Sequence, residues 1–249
     1  MKKLLLLISV TALFLASCKK DDKDPEIELS PVKVDGCVLK ENSYTILDGL
    51  GTGAKGSINY TYDSKARVVT AKYGDSLNLY SYSANQIILK KANGAITTYK
   101  LDASGRIINE TYSDNISIKD YTYNPEGYLI MEVLKKGETY LKTEYLYTAG
   151  NLTSLLVNNR EGLKISYSDQ LSQKNFIDEG INELPLFYNG ILRAYFGKAS
   201  KNLPNLTVPG IAYYQSYYYT NDDKGNIVKA KYVTKYGIGY NSDMKYECN

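Results

Sequence analysis

One unit constrains this chain more than any other: Tyr121-Thr122-Tyr123-Asn124-Pro125-Glu126-Gly127-Tyr128-Leu129-Ile130, whose relatives recur before and after it. Two Tyr two residues apart face the same side of a strand. Asn, Pro and Gly at the first, second and fourth turn positions suit a type I turn, because Pro presets φ and Gly tolerates a positive φ. The same frame fits Tyr60-Thr61-Tyr62-Asp63, Tyr80-Ser81-Tyr82-Ser83, Tyr99-Lys100-Leu101-Asp102 with Gly105, and Tyr145-Leu146-Tyr147-Thr148 with Gly150. The period is roughly 20 to 24 residues. Strand, turn, strand, repeated along the chain, is an array of hairpins in which sequence neighbours are spatial neighbours.

Strands are expected at 32–40, 57–62, 67–73, 77–82, 86–91, 96–101, 106–112, 116–123, 128–135, 139–147, 152–157 and 163–167. Gly49, Gly51, Gly53 and Gly56 make 49–56 a mobile turn region. Asn93-Gly94 is a strong hairpin signal and reverses the chain at the end opposite Asp63. The array breaks at 170–209, which holds Phe176, Phe187 and Phe196. Pro185 followed by Leu186-Phe187-Tyr188, then Ile191-Leu192 and Tyr195-Phe196, has helical spacing, and Gly197 can end the helix. Residues 198–204 read as an irregular return. Strands resume at 211–220, 227–236 and 243–248, with a turn at 221–225.

That gives about 14 or 15 strands, more than the eight or so that close a barrel filled by its own side chains. A flattened barrel, a curled open sheet and a wide barrel filled by the insert all remain open. The expected fold class is all-β: an antiparallel meander curled into a wide, nearly closed barrel, with the short helical insert as plug. Phe176, Phe187, Tyr188, Tyr195 and Phe196 are its candidates for binding or plugging. A membrane-spanning porin fits less well, since Glu110 and Glu132 share a face with apolar neighbours.

The N-terminus reads as a leader over 1–17: Lys2 and Lys3, a mostly apolar run over 4–15, then Leu15-Ala16-Ser17-Cys18. The apolar run is too short for a permanent span. Residues 18–30 form a charged tether beginning Lys19-Lys20-Asp21-Asp22, too polar to bury. The folded domain is expected over 31–249. With 30 basic and 27 acidic residues there is no basic footprint for nucleic acid.

Of the three Cys, Cys37 and Cys248 lie at the two ends of the expected domain. Outside the cytoplasm they can oxidise, which would place 38–39 beside 245–247 and make the first and last strands neighbours. Two unpaired buried thiols are the alternative.

The chain has no His, which removes Ser-His-Asp and Cys-His nucleophile systems and the usual zinc ligands. Asp63, Asp102 and Asn124 sit at turn positions, and no acid stands out as buried, so no catalytic residue is assigned. Asn221, Asp223 and Gly225 fit a turn better than a calcium loop, because Tyr232 stands where a ligating acid is needed. No metal or cofactor is expected. The 26 Tyr either form a stacking platform for sugars or peptides or pack across strands, the second being the simpler account.

Leu15-Ala16-Ser17-Cys18 resembles the lipobox of bacterial lipoproteins, which implies a lipid on Cys18. Lys and two acids just after it are similar to the export signal of surface-exposed Bacteroidetes lipoproteins. The Tyr-x-Tyr-Asp/Asn-x-x-Gly-Arg/Tyr-Ile/Leu unit resembles the YD repeats of RHS proteins, with Ala66 and Asn85 departing from the expected Gly. The order of lipobox, repeats, insert ending Phe196-Gly197-Lys198 and terminal Tyr246-Glu247-Cys248 is similar to a Bacteroidetes lipoprotein family of unknown function with a porin-like fold. The resemblance implies an outer-membrane protein tethered through its N-terminal lipid. Its expected role is binding glycan or peptide. The alternatives are an assembly subunit contacting other envelope proteins and, more weakly, a carboxylate glycoside hydrolase.

Overall fold

The computed structural model describes residues 36–49, 53–114, 116–172, 190–209 and 215–248. The leader, the tether, Cys18, Phe176, Phe187 and Tyr188 lie outside them. The described strands are β1 (Cys37–Asp48), β2 (Lys55–Tyr62), β3 (Val68–Tyr73), β4 (Ser76–Tyr82), β5 (Gln86–Lys90), β6 (Ile96–Leu101), β7 (Ile107–Tyr112) and β8 (Ser117–Tyr123). They continue as β9 (Leu129–Lys136), β10 (Thr139–Thr148), β11 (Asn151–Val157), β12 (Arg160–Leu171), β13 (Asn202–Pro209), β14 (Gln215–Asn221), β15 (Ile227–Thr234) and β16 (Ile238–Cys248). Each pairs antiparallel with its sequence neighbours, and β1 pairs with β16. The meander is therefore a closed barrel of 16 strands, not a nearly closed one of 14 or 15.

The added strand is β13, inside the 170–209 break and overlapping the end of the stretch read as an irregular return. Pro204 and Pro209 hide it from a propensity reading, since proline cannot donate to a ladder. The array interruption accordingly shortens to the chain between Leu171 and Asn202. Its described helical part is a seven-residue 3-10 helix, Gly190–Phe196. Gly197 follows with φ +77°, and a Cβ there would lie 2.3 Å from the Gly127 carbonyl oxygen.

The repeated unit has a repeated geometry. Asp63 Oδ1 accepts from the amides of Lys65 and Arg67, and its Oδ2 accepts from Arg67 Nε. Asp102 does the same with Ser104 and Arg106, and Asp222 with Lys224 and Asn226. The fourth turn position takes positive φ at Gly105, Gly127 and Gly225, and Ala66 adopts φ +59° in the same role.

Just past each turn a β-bulge shifts the register, so that Tyr62 faces Val68, Leu101 faces Ile107, Tyr123 faces Leu129 and Tyr147 faces Leu152. A bulge re-aims a side chain. Here it turns Val68, Ile107, Leu129 and Leu152 into the core, where none is more than 5% exposed. The second Tyr of the following unit then reaches back to the carbonyl of that residue. Tyr82 donates to Val68, Tyr123 to Ile107, Tyr167 to Leu152 and Tyr246 to Ile227. Arg67 and Arg106 cover the rings of Tyr82 and Tyr123 at 4.5 and 4.6 Å. Asp clamps Arg, Arg covers Tyr, and Tyr latches the previous strand.

Cys37 and Cys248 are bonded across β1 and β16, with Val38 opposite Glu247 and Leu39 opposite Tyr246. The bond fastens the barrel where the first and last strands meet. Apolar residues of both walls and of the insert form one continuous core, from Leu39 and Ile58 through Ile87, Ile107 and Leu152 to Ile191, Leu192 and Phe196. The outer wall carries exposed ion pairs, Lys135 with Asp120, Lys229 with Asp243 and Lys245 with Glu41. Lysines on a lipid-facing barrel wall cost about 2 to 4 kcal/mol each near the bilayer midplane and about 0 to 1 kcal/mol near its interfaces.

Candidate functional site

Because strands alternate in direction, the turns after β2, β4, β6, β8, β10 and β14 lie at one end of the barrel. The start of β1, the end of β16 and the insert between β12 and β13 lie there too. The described part of the insert, 190–201, thus sits at the end that also holds the disulfide. Tyr195 stacks on Tyr82 with ring centroids 6.0 Å apart, and Phe196 meets the edge of Tyr121 at 5.2 Å. Both are buried, so these two candidates pack the plug against the wall. Burial pushes the Tyr195 hydroxyl up to about 12.

From the helix the chain crosses the rim of the repeat that anchors the sequence. The amide of Lys198 donates to the Gly127 carbonyl and that of Lys201 to the Gly150 carbonyl, while Ser200 Oγ accepts from the Leu152 amide. At this place the repeat is irregular. Asn124 and Tyr128 stand where two earlier units have the Asp63 and Arg67 and the Asp102 and Arg106 pairs. Cations come from the insert instead: Lys198 Nζ lies 5.6 Å from the Tyr128 ring centroid. Arg193 faces Tyr147, Tyr123 and Tyr167, and burial holds its guanidinium below the usual arginine range. It donates to main-chain carbonyls, from Nη1 to Gly197 at 3.5 Å and from Nη2 to Lys198 at 3.2 Å.

Tyr128 and Tyr147 lie ring against ring, with centroids 4.7 Å apart. The Tyr147 hydroxyl is buried with no hydrogen-bond partner among the described residues. A mouth of tyrosine rings with half-buried Arg193 and exposed Lys198 can stack apolar sugar faces and hold oxyanions.

Beneath the plug lies a group the sequence reading missed. Glu110 and Glu132 are buried at 5% and 6% exposure, which corrects the expectation that no acid is buried. Both project inward on adjacent hairpins. Tyr121 donates to Glu110 at 2.6 Å, Tyr145 donates to Glu132 at 3.1 Å, and Lys119 Nζ lies 3.3 Å from Glu132. Desolvation and these carboxylates drive the Tyr121 and Tyr145 hydroxyls well above the ordinary tyrosine value. The two-residue alternation of Glu110 with Tyr112 and of Glu132 with Leu134 was the available signal, because it puts each acid on the core face once the bulges fix register. Toward the opposite end, rings of Tyr44, Tyr240, Tyr232 and Tyr217 form an inward ladder at 5.4, 5.7 and 6.1 Å spacing. No group of three or more metal-ligating side chains occurs among the described residues.

The barrel is similar to a porin-like protein of Bacteroides uniformis, with a TM-score of 0.63 and 16% identity over 84% of this chain and 96% of that one. The likeness is one of fold. A Tc holotoxin pore of Photorhabdus luminescens aligns over 76% of this chain and 10% of that one, at 16% identity and a TM-score of only 0.21. No protein-family model and no curated protein matches the chain.

Proposed function

We propose that this chain is a lipid-anchored envelope protein whose plugged mouth binds glycan. The observation that carries the reading is the convergence of Tyr123, Tyr128, Tyr147 and Tyr167 with Arg193 and Lys198 where the insert crosses the rim. Tyrosine rings offer faces to the C–H surface of a sugar, and cations with Ser200 offer polar contacts around it. The Leu15-Ala16-Ser17-Cys18 sequence supports a lipid on Cys18, and the likeness to a porin-like protein supports a place in the outer membrane. The charged outer wall favours a barrel held at the membrane by its tether. The Asp-clamped turn and Tyr latch support reading the repeated unit as a YD repeat.

A glycan array probed with the full chain in detergent micelles tests the reading. Binding that is lost on Tyr128→Ala, with the melting temperature retained, is the expected result. An array with no binding would instead favour an assembly role, for which Leu77, Leu79 and Ile96, exposed on the outer wall at 41 to 42%, are a suitable contact.

A further inference from the structure

The latch geometry singles out Tyr147. Tyr82, Tyr123 and Tyr167 each donate to the carbonyl that follows a turn on the preceding strand, and the equivalent acceptor for Tyr147 is that of Leu129. Its hydroxyl makes no such bond and is buried without a described partner. The departure coincides with the replacement of the Asp and Arg pair by Asn124 and Tyr128. The guanidinium that the Asp63 and Asp102 units keep in the wall arrives here from the plug as Arg193. In the wall, Arg67 and Arg106 are each neutralised by an Asp at 2.7 Å. Arg193 has no carboxylate partner among the described residues, and its bonds to two carbonyls leave donors of its fork open. A recessed cation without a counter-charge is costly, and a hydroxyl left without an acceptor adds to that cost. Arg193 and Tyr147 are each half-buried, and the Tyr147 hydroxyl itself is covered.

We propose that Arg193 and Tyr147 form a carboxylate site, and that the glycan taken by this mouth is acidic, bearing uronate groups. The guanidinium fork receives the carboxylate in two parallel bonds, the Tyr147 O–H gives a third, and the Tyr128 ring with Lys198 flanks the sugar. This rests on the glycan-binding reading and narrows it to one ligand chemistry.

The test compares a galacturonic acid trimer with its fully methyl-esterified form by calorimetry on the full chain in detergent micelles. The ester keeps the sugar and removes the charge. The acid is expected to bind at least about tenfold tighter than the ester, the preference weakening with salt. Arg193→Gln should abolish that preference, and Tyr147→Phe, which removes a single oxygen, should reduce it several-fold while leaving the fold intact. Equal binding of acid and ester would overturn the carboxylate site and leave the glycan reading standing. Binding of neither would overturn both. If Arg193→Gln lowers the melting temperature with the acid-to-ester ratio unchanged, Arg193 only fastens the plug and the proposal fails. Should Arg193→Gln not fold, an unchanged ratio in Tyr147→Phe overturns it equally.

Discussion

The guanidinium of Arg106 lies 4.6 Å from the ring centroid of Tyr123, whose hydroxyl donates at 2.6 Å to the carbonyl of Ile107, the very next residue. One hairpin thereby holds the next at two points. Tyr123→Phe keeps the ring under the cation and deletes only the latch, so it should cost about 1 kcal/mol. Arg106→Ala removes the cation over the ring and the partner of Asp102, and should cost about 1 to 2 kcal/mol. Because the two share one cluster, the double variant should fall short of the sum. Urea melts of the singles and the double check this, and strict additivity would refute the coupling.

Cys37 and Cys248 join the first and last strands 211 residues apart in sequence. Cross-linking so long a loop restricts the unfolded chain by up to roughly 5 kcal/mol on chain-entropy reasoning. Replacing both with Ser should therefore lower the unfolding free energy by several kcal/mol while leaving the β-sheet circular dichroism of the folded protein unchanged, since the two strands remain paired along their length. Denaturant titration with and without reductant measures it. A wild-type stability indifferent to reductant would show that the bond contributes nothing.

Tyrosine burial makes the fold sensitive to alkali. Burial pushes the hydroxyls of Tyr167 and Tyr195 up to about 12, and those of Tyr62, Tyr123 and Tyr246 higher still. Their unfolded value is about 10. A raised folded pKa means the unfolded chain loses its protons first, so the contribution is whole below about pH 10 and is lost as pH rises through the folded values. The part of the tyrosinate absorbance that belongs to these buried tyrosines should rise together with loss of circular dichroism above about pH 11, in one cooperative step. Ionisation of most tyrosines near their ordinary value, before any unfolding, would contradict it.

Acid acts through the turns. Burial raises the Asp63 carboxyl, but bonds from Arg67 and the Lys65 amide outweigh it and hold the group below its ordinary value. Asn226 does the same for Asp222. Depressed carboxyls stabilise the fold above the unfolded value of about 3.9 and lose that contribution as pH falls through the folded ones. Asp63→Asn should therefore flatten the fall of melting temperature below about pH 4, measured by scanning across that range.

Backbone strain separates two small residues. Ala66 holds φ +59° where its sister turns use Gly, so Ala66→Gly should stabilise the barrel by about 1 kcal/mol. Gly197 holds φ +77° with the Gly127 carbonyl and the Tyr123 ring against it, so Gly197→Ala should displace the insert and cost more than about 2 kcal/mol. Thermal melts of the two variants should shift in opposite directions.

Period-two tyrosines, turn residues at fixed offsets and two terminal cysteines were enough to read a meander with neighbouring ends. These are local signals, set by φ preferences and by which side of a strand a residue faces. Strand β13 escaped because its prolines argue against a strand, and only a place between β12 and β14 overrules them. Glu110 and Glu132 escaped because alternation pairs residues by face but does not say which face is interior until the sheet curls.

The sequence by itself determined the hairpin unit, its direction and its repetition, because a turn closes over a few residues and needs nothing distant. Closure at 16 strands, the descent of the insert into the mouth and the meeting of Arg193 with Tyr147 were decided only by the tertiary structure. Those contacts join residues tens of positions apart, and their geometry depends on the twist and bulges summed around the whole ring.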